Sequence, residues 1–276
     1  MRRARALGLV VLAVAVSAIA GPPVRIAAHR GGALLWPENS LLAFRNALAL
    51  GADLVELDVH LTRDDEVVVI HDPTLERTTT GTGAVGTARL ADLAGARLRT
   101  RDGVATDEPV PTLAQVLDLL RSTRAELLLE IKVDPSRRPY AGIEERTLAL
   151  LGARGLRERT VVMAFEPDTL RRVRALDAGI RTTMLVSRSR VERERAAAPT
   201  VARWATEVAA TSLGVDHRVV DAALVAAARE AGLRLAAWTV NTEADIRRML
   251  DLGVDIVISD QPDLALRLAG RPPRAP

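Results

Sequence analysis

Chemistry in this chain concentrates in a few short segments. Val55-Glu56-Leu57-Asp58-Val59 and Leu129-Glu130-Ile131-Lys132 each set two charged residues, two apart, in an apolar run. In an extended strand, residues two apart share a face, so Glu56 projects with Asp58 and Glu130 with Lys132. On neighbouring strands the three carboxylates would converge, and they cannot all ionise in a confined space without a compensating charge. A divalent cation supplies that charge. An all-oxygen donor set favours a hard ion, Mg²⁺ or Ca²⁺, over zinc.

Histidine is scarce: His29, His60, His71 and His217. His29 and His71 end strand-like runs. A pair that titrates near neutral pH beside a metal suits general acid–base work. His60 is read as structural, turned away from the neighbours of Asp58, and His217, opening a helix, is read likewise. Lys132 is the only Lys among 38 basic residues. A compact ammonium there, with Arg30 able to grip a phosphate bidentately, suits an anionic ligand. Metal, two cations and two imidazoles together point to phosphate-ester chemistry.

Eight strand-like runs must position these residues: Val24–His29, Asp53–Val59, Leu127–Lys132, Val161–Phe165, Arg181–Val186, Val208–Leu213, Arg234–Thr239 and Asp255–Ser259. Helix-like stretches lie between them, each with a start or stop signal. Asn39–Leu50 stops at Gly51, and Thr112–Arg121 opens with a Thr112/Gln115 capping box. Pro167–Ala178 begins with Pro, Asp221–Ala231 ends at Gly232, and Thr242–Leu252 ends at Gly253. The alternation predicts an α/β fold, a (β/α)8 TIM barrel, with the active residues at strand C-terminal ends. An open doubly wound sheet is the alternative, but no G-x-G-x-x-G follows the first strand. The connection from Val59 to Thr112 is too long for one barrel loop. It contains a further strand-like run, Glu66–Ile70, and is expected as an insertion after strand two, approximately residues 60–111. Ser187–Thr200 is expected as a solvated helix.

The chain has 276 residues, 48% hydrophobic, with no Cys. That excludes a disulfide scaffold, a zinc finger and a Cys nucleophile. Six aromatic residues, 3 Trp, 2 Phe and 1 Tyr, do not make a base-stacking platform. The net charge of +3 is matched by Arg2, Arg3 and Arg5 at the start, and the rest is balanced. No nucleic-acid binding is expected, and no stable protein partner is implied. Met1–Arg5 is basic, Ala6–Ala20 is apolar, and Ala18-Ile19-Ala20 has a small-x-small form. Residues 1–20 therefore read as a secretory signal directing export, with a membrane anchor at residues 6–20 as the alternative. One domain, 21–276, follows.

The ordered motifs resemble the glycerophosphodiester phosphodiesterase family. They are His29-Arg30-Gly31, Pro37-Glu38-Asn39-Ser40, Val55 to Val59, His71-Asp72, Arg77-Thr78-Thr79, Gly81-x-Gly83 and Leu129 to Lys132. Trp238-Thr239-Val240-Asn241, Gly253-Val254-Asp255 and Ser259-Asp260-x-Pro262 complete the set. The resemblance runs from about residue 24 to 268. It implies a (β/α)8 barrel that hydrolyses glycerophosphodiesters, such as glycerophosphocholine, to an alcohol and sn-glycerol 3-phosphate. It also implies that His29 and His71 are the acid–base pair and that Glu56, Asp58 and Glu130 hold a divalent cation. Arg30 and Lys132 would bind phosphate, and Trp238 would pack against glycerol. Ser40 stands where Thr is common. Ala164 stands where Ser is frequent, which puts a minor polar contact in doubt. Two other functions are weighed. One is a phospholipase D-like activity on lysophospholipids or sphingomyelin; the other is a non-catalytic glycerophosphodiester-binding protein. The attacking group is either the glycerol 2-hydroxyl, through a cyclic phosphate, or water.

Overall fold

The computed structural model describes residues 23–271. The expected export segment, residues 1–20, lies outside them. Eleven strands occur among the described residues. They are β1 Arg25–Ala28, β2 Leu54–Leu61, β3 Val67–Val69, β4 Arg97–Arg99, β5 Ala105–Pro109 and β6 Glu126–Ile131. β7 Thr160–Ala164, β8 Arg181–Val186, β9 Ser212–Asp216, β10 Arg234–Trp238 and β11 Ile256–Ser259 follow. Omitting β3, β4 and β5, the other eight form one parallel sheet in the order β1-β11-β10-β9-β8-β7-β6-β2, and β1 also pairs with β2. The sheet therefore closes on itself as a (β/α)8 barrel, and the open doubly wound alternative is excluded. Register across the key pair sets Asp58 opposite Glu130.

The five helices expected from start and stop signals are present, as Leu41–Leu50, Leu113–Arg121, Pro167–Leu176, Ala222–Glu230 and Glu243–Leu252, and five more accompany them among the described residues. α1 Leu41–Leu50 starts at Ser40, whose Oγ accepts the Ala43 N–H at 2.9 Å and donates to the Pro37 carbonyl at 2.7 Å. Ser thus performs the capping for which Thr is common. α2 Leu90–Leu93 is a single turn in the excursion after β2. α3 Leu113–Arg121 has the Thr112/Gln115 capping box closed in both directions, at 2.9 and 3.3 Å. α4 Ile143–Ala153, α5 Pro167–Leu176, α6 Arg188–Glu194 and α7 Ala198–Thr206 come next. α8 Ala222–Glu230, α9 Glu243–Leu252 and α10 Pro262–Leu268 complete the ring.

Two expectations change. The strand expected at Val208–Leu213 is β9, Ser212–Asp216. Val208 and Ala210 are buried, but they belong to the turn that ends α7, where Ala209 is left-handed (φ 51°) and the Ala210 N–H reaches the Ala205 carbonyl. Ser187–Thr200 is not one helix. It spans α6, which buries none of its residues, and the start of α7, which buries Val201, Ala202, Trp204 and Ala205.

Between β2 and α3 the chain leaves the barrel. β3 runs antiparallel to β2, β4 pairs with β5, and Val68, Ile70, Leu75, Val85, Leu93 and Leu98 bury a small core of their own. This excursion carries His71 and Arg77 back over the C-terminal mouth of the barrel. The barrel axis is filled by Ala27, Leu54, Leu128, Met163, Leu185 and Ile256, and the helices pack on the outer faces of the strands.

Candidate active site

At the C-terminal mouth, β2 and β6 deliver the acids. Glu56, Asp58 and Glu130 are all buried and each offers an oxygen within 4.8 Å of the others. Burial, with Asp58 and Glu130 as like-charged neighbours, pushes the Glu56 carboxyl well up from its ordinary value. Burial likewise lifts Glu130, to about 7. Burial would lift Asp58 too, but Lys132, His71 and Arg30 outweigh it and hold Asp58 well below the usual carboxylate range. Lys132 Nζ lies 2.6 Å from Glu130 Oε1 and 3.0 Å from Asp58 Oδ1. Burial disfavours its charge, but these two acids raise its pKa overall.

The first strand ends in a tight left-handed turn. Arg30 (φ 51°) points its backbone N–H at Glu56 Oε2, 2.8 Å away, and its guanidinium at Glu38 (2.9 Å) and Asp58 (3.4 Å). Gly31 (φ 79°) makes the turn possible, because a Cβ there would stand 2.7 Å from the Ala43 Cβ. Asn39 donates to Asp58 Oδ2 at 2.9 Å.

The two histidines share one arrangement. His29 Nδ1 is 2.6 Å from Asp260 Oδ1, and His71 Nδ1 is 2.6 Å from Asp72 Oδ1. An ionised carboxylate only accepts, so each Nδ1 carries the proton and each Nε2 is left basic. His29 Nε2 lies 3.9 Å from Glu56 Oε2. Burial lowers the His71 pKa overall, although Asp58 and Asp72 act the other way. Asp260 is held in turn by Asn241 Nδ2 at 2.7 Å. Asp72 is gripped by Arg77, which also takes Glu38 through two nitrogens at 2.8 and 2.9 Å. The result is one continuous chain, His71–Asp72–Arg77–Glu38–Arg30.

These groups line a cavity of about 460 Å³. Its charged wall is His29, Arg30, Glu56, His71, Glu130 and Lys132, and its apolar wall includes Met163, Phe165, Leu185 and Trp238. Trp238 meets Phe165 edge to face at 5.5 Å. All eight sequence-derived site residues border this cavity except Asp58, which is buried behind its wall against Asn39, Arg30 and Lys132. Ala164 faces the helices, packed with Leu170 and Met184, so a polar residue there would not reach the cavity.

His60 is not turned away. It shares the face of Asp58, as alternation requires, one rung further up β2. It is fully buried, with Nδ1 2.9 Å from the Tyr140 hydroxyl and Nε2 3.0 Å from the His71 carbonyl. Its role remains structural: it holds the backbone of His71. Sequence reasoning assigned no role to Glu38, Asn39, Asp72, Arg77, Asn241 or Asp260. The acid directly after His71 was a local signal. Asp260 is marked by its place at the end of the last strand, but its pairing with His29, 231 positions away, is not.

Three buried carboxylates, each offering an oxygen within 4.8 Å of the others, make an all-oxygen donor set that fits a hard divalent cation.

The family model for glycerophosphoryl diester phosphodiesterases matches residues 29–264. A glycerophosphodiester phosphodiesterase of Caldanaerobacter subterraneus is 32% identical over 246 residues, covering 88% of this chain and 96% of that one. One from Bacillus subtilis is 31% identical over 293 residues, covering 96% and 97%. The solved Oleispira antarctica phosphodiesterase, in complex with the product sn-glycerol 3-phosphate, superposes with a TM-score of 0.71 at 26% identity, covering 90% and 96%. The chain therefore belongs to the glycerophosphoryl diester phosphodiesterase family, enzymes that hydrolyse glycerophosphodiesters.

Proposed function

We propose that this enzyme hydrolyses glycerophosphodiesters such as glycerophosphocholine to the free alcohol and sn-glycerol 3-phosphate, with a divalent cation and a histidine pair. The observation that carries this reading is the pair of carboxylate-oriented imidazoles facing the acidic triad across one cavity. Glu56, Asp58 and Glu130 hold the cation, Mg²⁺ or Ca²⁺. When bound, such an ion neutralises phosphate charge and orients a substrate oxygen. Arg30 and Lys132 take the remaining phosphate charge and stabilise it as it develops. One imidazole removes a proton at Nε2 from the attacking hydroxyl, and the other returns one to the departing alcohol. The attacker is the glycerol 2-hydroxyl or water, and trapping a cyclic phosphate by rapid quench separates the two. Trp238 packs against the glycerol carbons.

Acylated substrates fit less well. Among the described residues the exposed large apolar side chains are Leu35, Val104 and Leu176, on separate elements, which is not a lipid-binding patch. The test is glycerol 3-phosphate release from glycerophosphocholine by residues 21–276, with EDTA and then added Mg²⁺ or Ca²⁺. Metal-dependent release is expected. Choline release from lysophosphatidylcholine alone, or binding of glycerophosphocholine without turnover, overturns the reading. Residues 1–20 are assigned to export, and N-terminal sequencing of protein from the medium of an expressing bacterium tests that against retention in the membrane.

A further inference from the structure

A phosphodiester carries two alcohols, and this site has two lobes. The cavity described above is the enclosed one. A second, more open lobe of about 680 Å³ adjoins it, and the two share His71, Glu130, Lys132 and Phe165. The shared wall includes Lys132, assigned above to phosphate, and His71, which places the reacting phosphorus where the two lobes meet. The enclosed lobe is lined by Trp238, Met163 and Leu185 and suits the constant glycerol arm. The variable alcohol is left with the open lobe. His71 borders both lobes and His29 only the enclosed one, which makes His71 the group that protonates the departing alcohol.

The open lobe has its own chemistry. Lys132 is engaged by Asp58 and Glu130, and Asp134 by Arg138. His60 is fixed between Tyr140 and the His71 carbonyl. Two charges remain. Glu166 is half-buried, has no salt-bridge partner among the described residues, and follows Phe165 directly in the sequence. Arg137 is exposed on the rim, where solvent screens it. The less screened charge is negative and stands beside an aromatic ring and the apolar surfaces of Pro73, Val133 and Pro135. Carboxylate, ring and apolar wall together are what an alkylated ammonium seeks.

We propose that the open lobe is a head-group subsite selecting cationic amino alcohols, choline and ethanolamine, over neutral alcohols, with Glu166 as the discriminating residue. This rests on the hydrolytic reading above. Glu166 also precedes the first turn of α5, with Pro167 in the N1 position, so the isosteric Glu166→Gln is the variant of choice.

The experiment compares kcat/KM for glycerophosphocholine, glycerophosphoethanolamine and glycerophosphoglycerol in wild type and Glu166→Gln. The expected result is a loss of about fivefold for the two cationic substrates and none for the neutral one; a factor of five is what about 1 kcal/mol produces. Tetramethylammonium should inhibit glycerophosphoglycerol hydrolysis competitively in wild type and several-fold less in the variant. An equal loss on all three substrates, or none on any, overturns the proposal. So does a wild type that prefers glycerophosphoserine, with the preference lost in Arg137→Gln. Failure of wild type to turn over any of the three substrates would instead refute the hydrolytic reading itself.

Discussion

Asp260→Asn isolates the orientation of His29 from everything else in the site. Asp260 receives two donors, the His29 Nδ1–H at 2.6 Å and Asn241 Nδ2–H at 2.7 Å. An asparagine has one acceptor and one donor end, so one of the two contacts must become donor against donor. Turning Asn241 over would relieve it. That would forfeit the bonds its Oδ1 makes with the Asp260 N–H at 2.9 Å and the Ser259 hydroxyl at 3.3 Å, about 2 kcal/mol for two neutral hydrogen bonds. Replacing an ionised acceptor by a neutral one costs roughly 1 kcal/mol more. The cheaper escape is for His29 to move its proton to Nε2, which removes the basic nitrogen from the cavity. About 3 kcal/mol against the productive tautomer is a loss of roughly 100-fold in kcat. KM should hardly change, because neither phosphate cation is touched. Glycerol 3-phosphate release is the assay, with Tm confirming the fold. A folded Asp260→Asn within threefold of wild-type kcat would refute the tautomer argument.

Three further outcomes are expected. Burial raises both Glu56 and Glu130, Glu130 to about 7, and a cation binds the ionised forms, so Ca²⁺ affinity by calorimetry should strengthen by at least about tenfold per pH unit below pH ~7; a flat profile argues against these acids as ligands. Burial lowers His60 from its ordinary value to about 4. Below pH ~6.5 the unfolded chain therefore binds a proton that the folded chain refuses, and stability falls as pH drops from ~6.5 to ~4, by about 3 kcal/mol in all. Urea unfolding of wild type and His60→Gln at several pH values checks this, since the variant should lack that part of the slope. Gly31→Ala puts a methyl against Ala43 at a left-handed φ of 79° and should cost at least about 2 kcal/mol by urea unfolding; a variant as stable as wild type would show that the turn re-forms around it.

Much of the barrel is legible because its strands are short, apolar and punctuated: all eight expected runs overlap observed strands, the sixth only at Ser212 and Leu213. The sixth was set too early because Val-Ala-Ala-Thr-Ser-Leu-Gly-Val has no periodicity of its own. The same apolar residues serve equally as the last turn of a packed helix, and only the left-handed Ala209 ends it. That slip hid Asp216 at the end of β9. In the site, the acids and Lys132 were readable because spacing of two on a strand is a local rule. The rule was misapplied to His60, which has the same parity as Asp58. The partner of His71 is its sequence neighbour, whereas Asp260 and Asn241 meet His29 only through barrel closure. The clamp of Arg77 on Glu38 spans 39 residues and depends on how the excursion folds back.

β1 pairs with both β2 and β11, so His29 stands on the closing seam of the barrel, with its carboxylate partner arriving from the far end of the chain. A chain that has folded every strand but the last already owns its acidic triad, its lysine and both imidazoles. It still lacks the group that sets which nitrogen of His29 holds the proton. Pairing of β11 with β1 therefore both closes the ring and delivers Asp260 to His29. The orientation of one imidazole is thereby tied to closure of the whole ring.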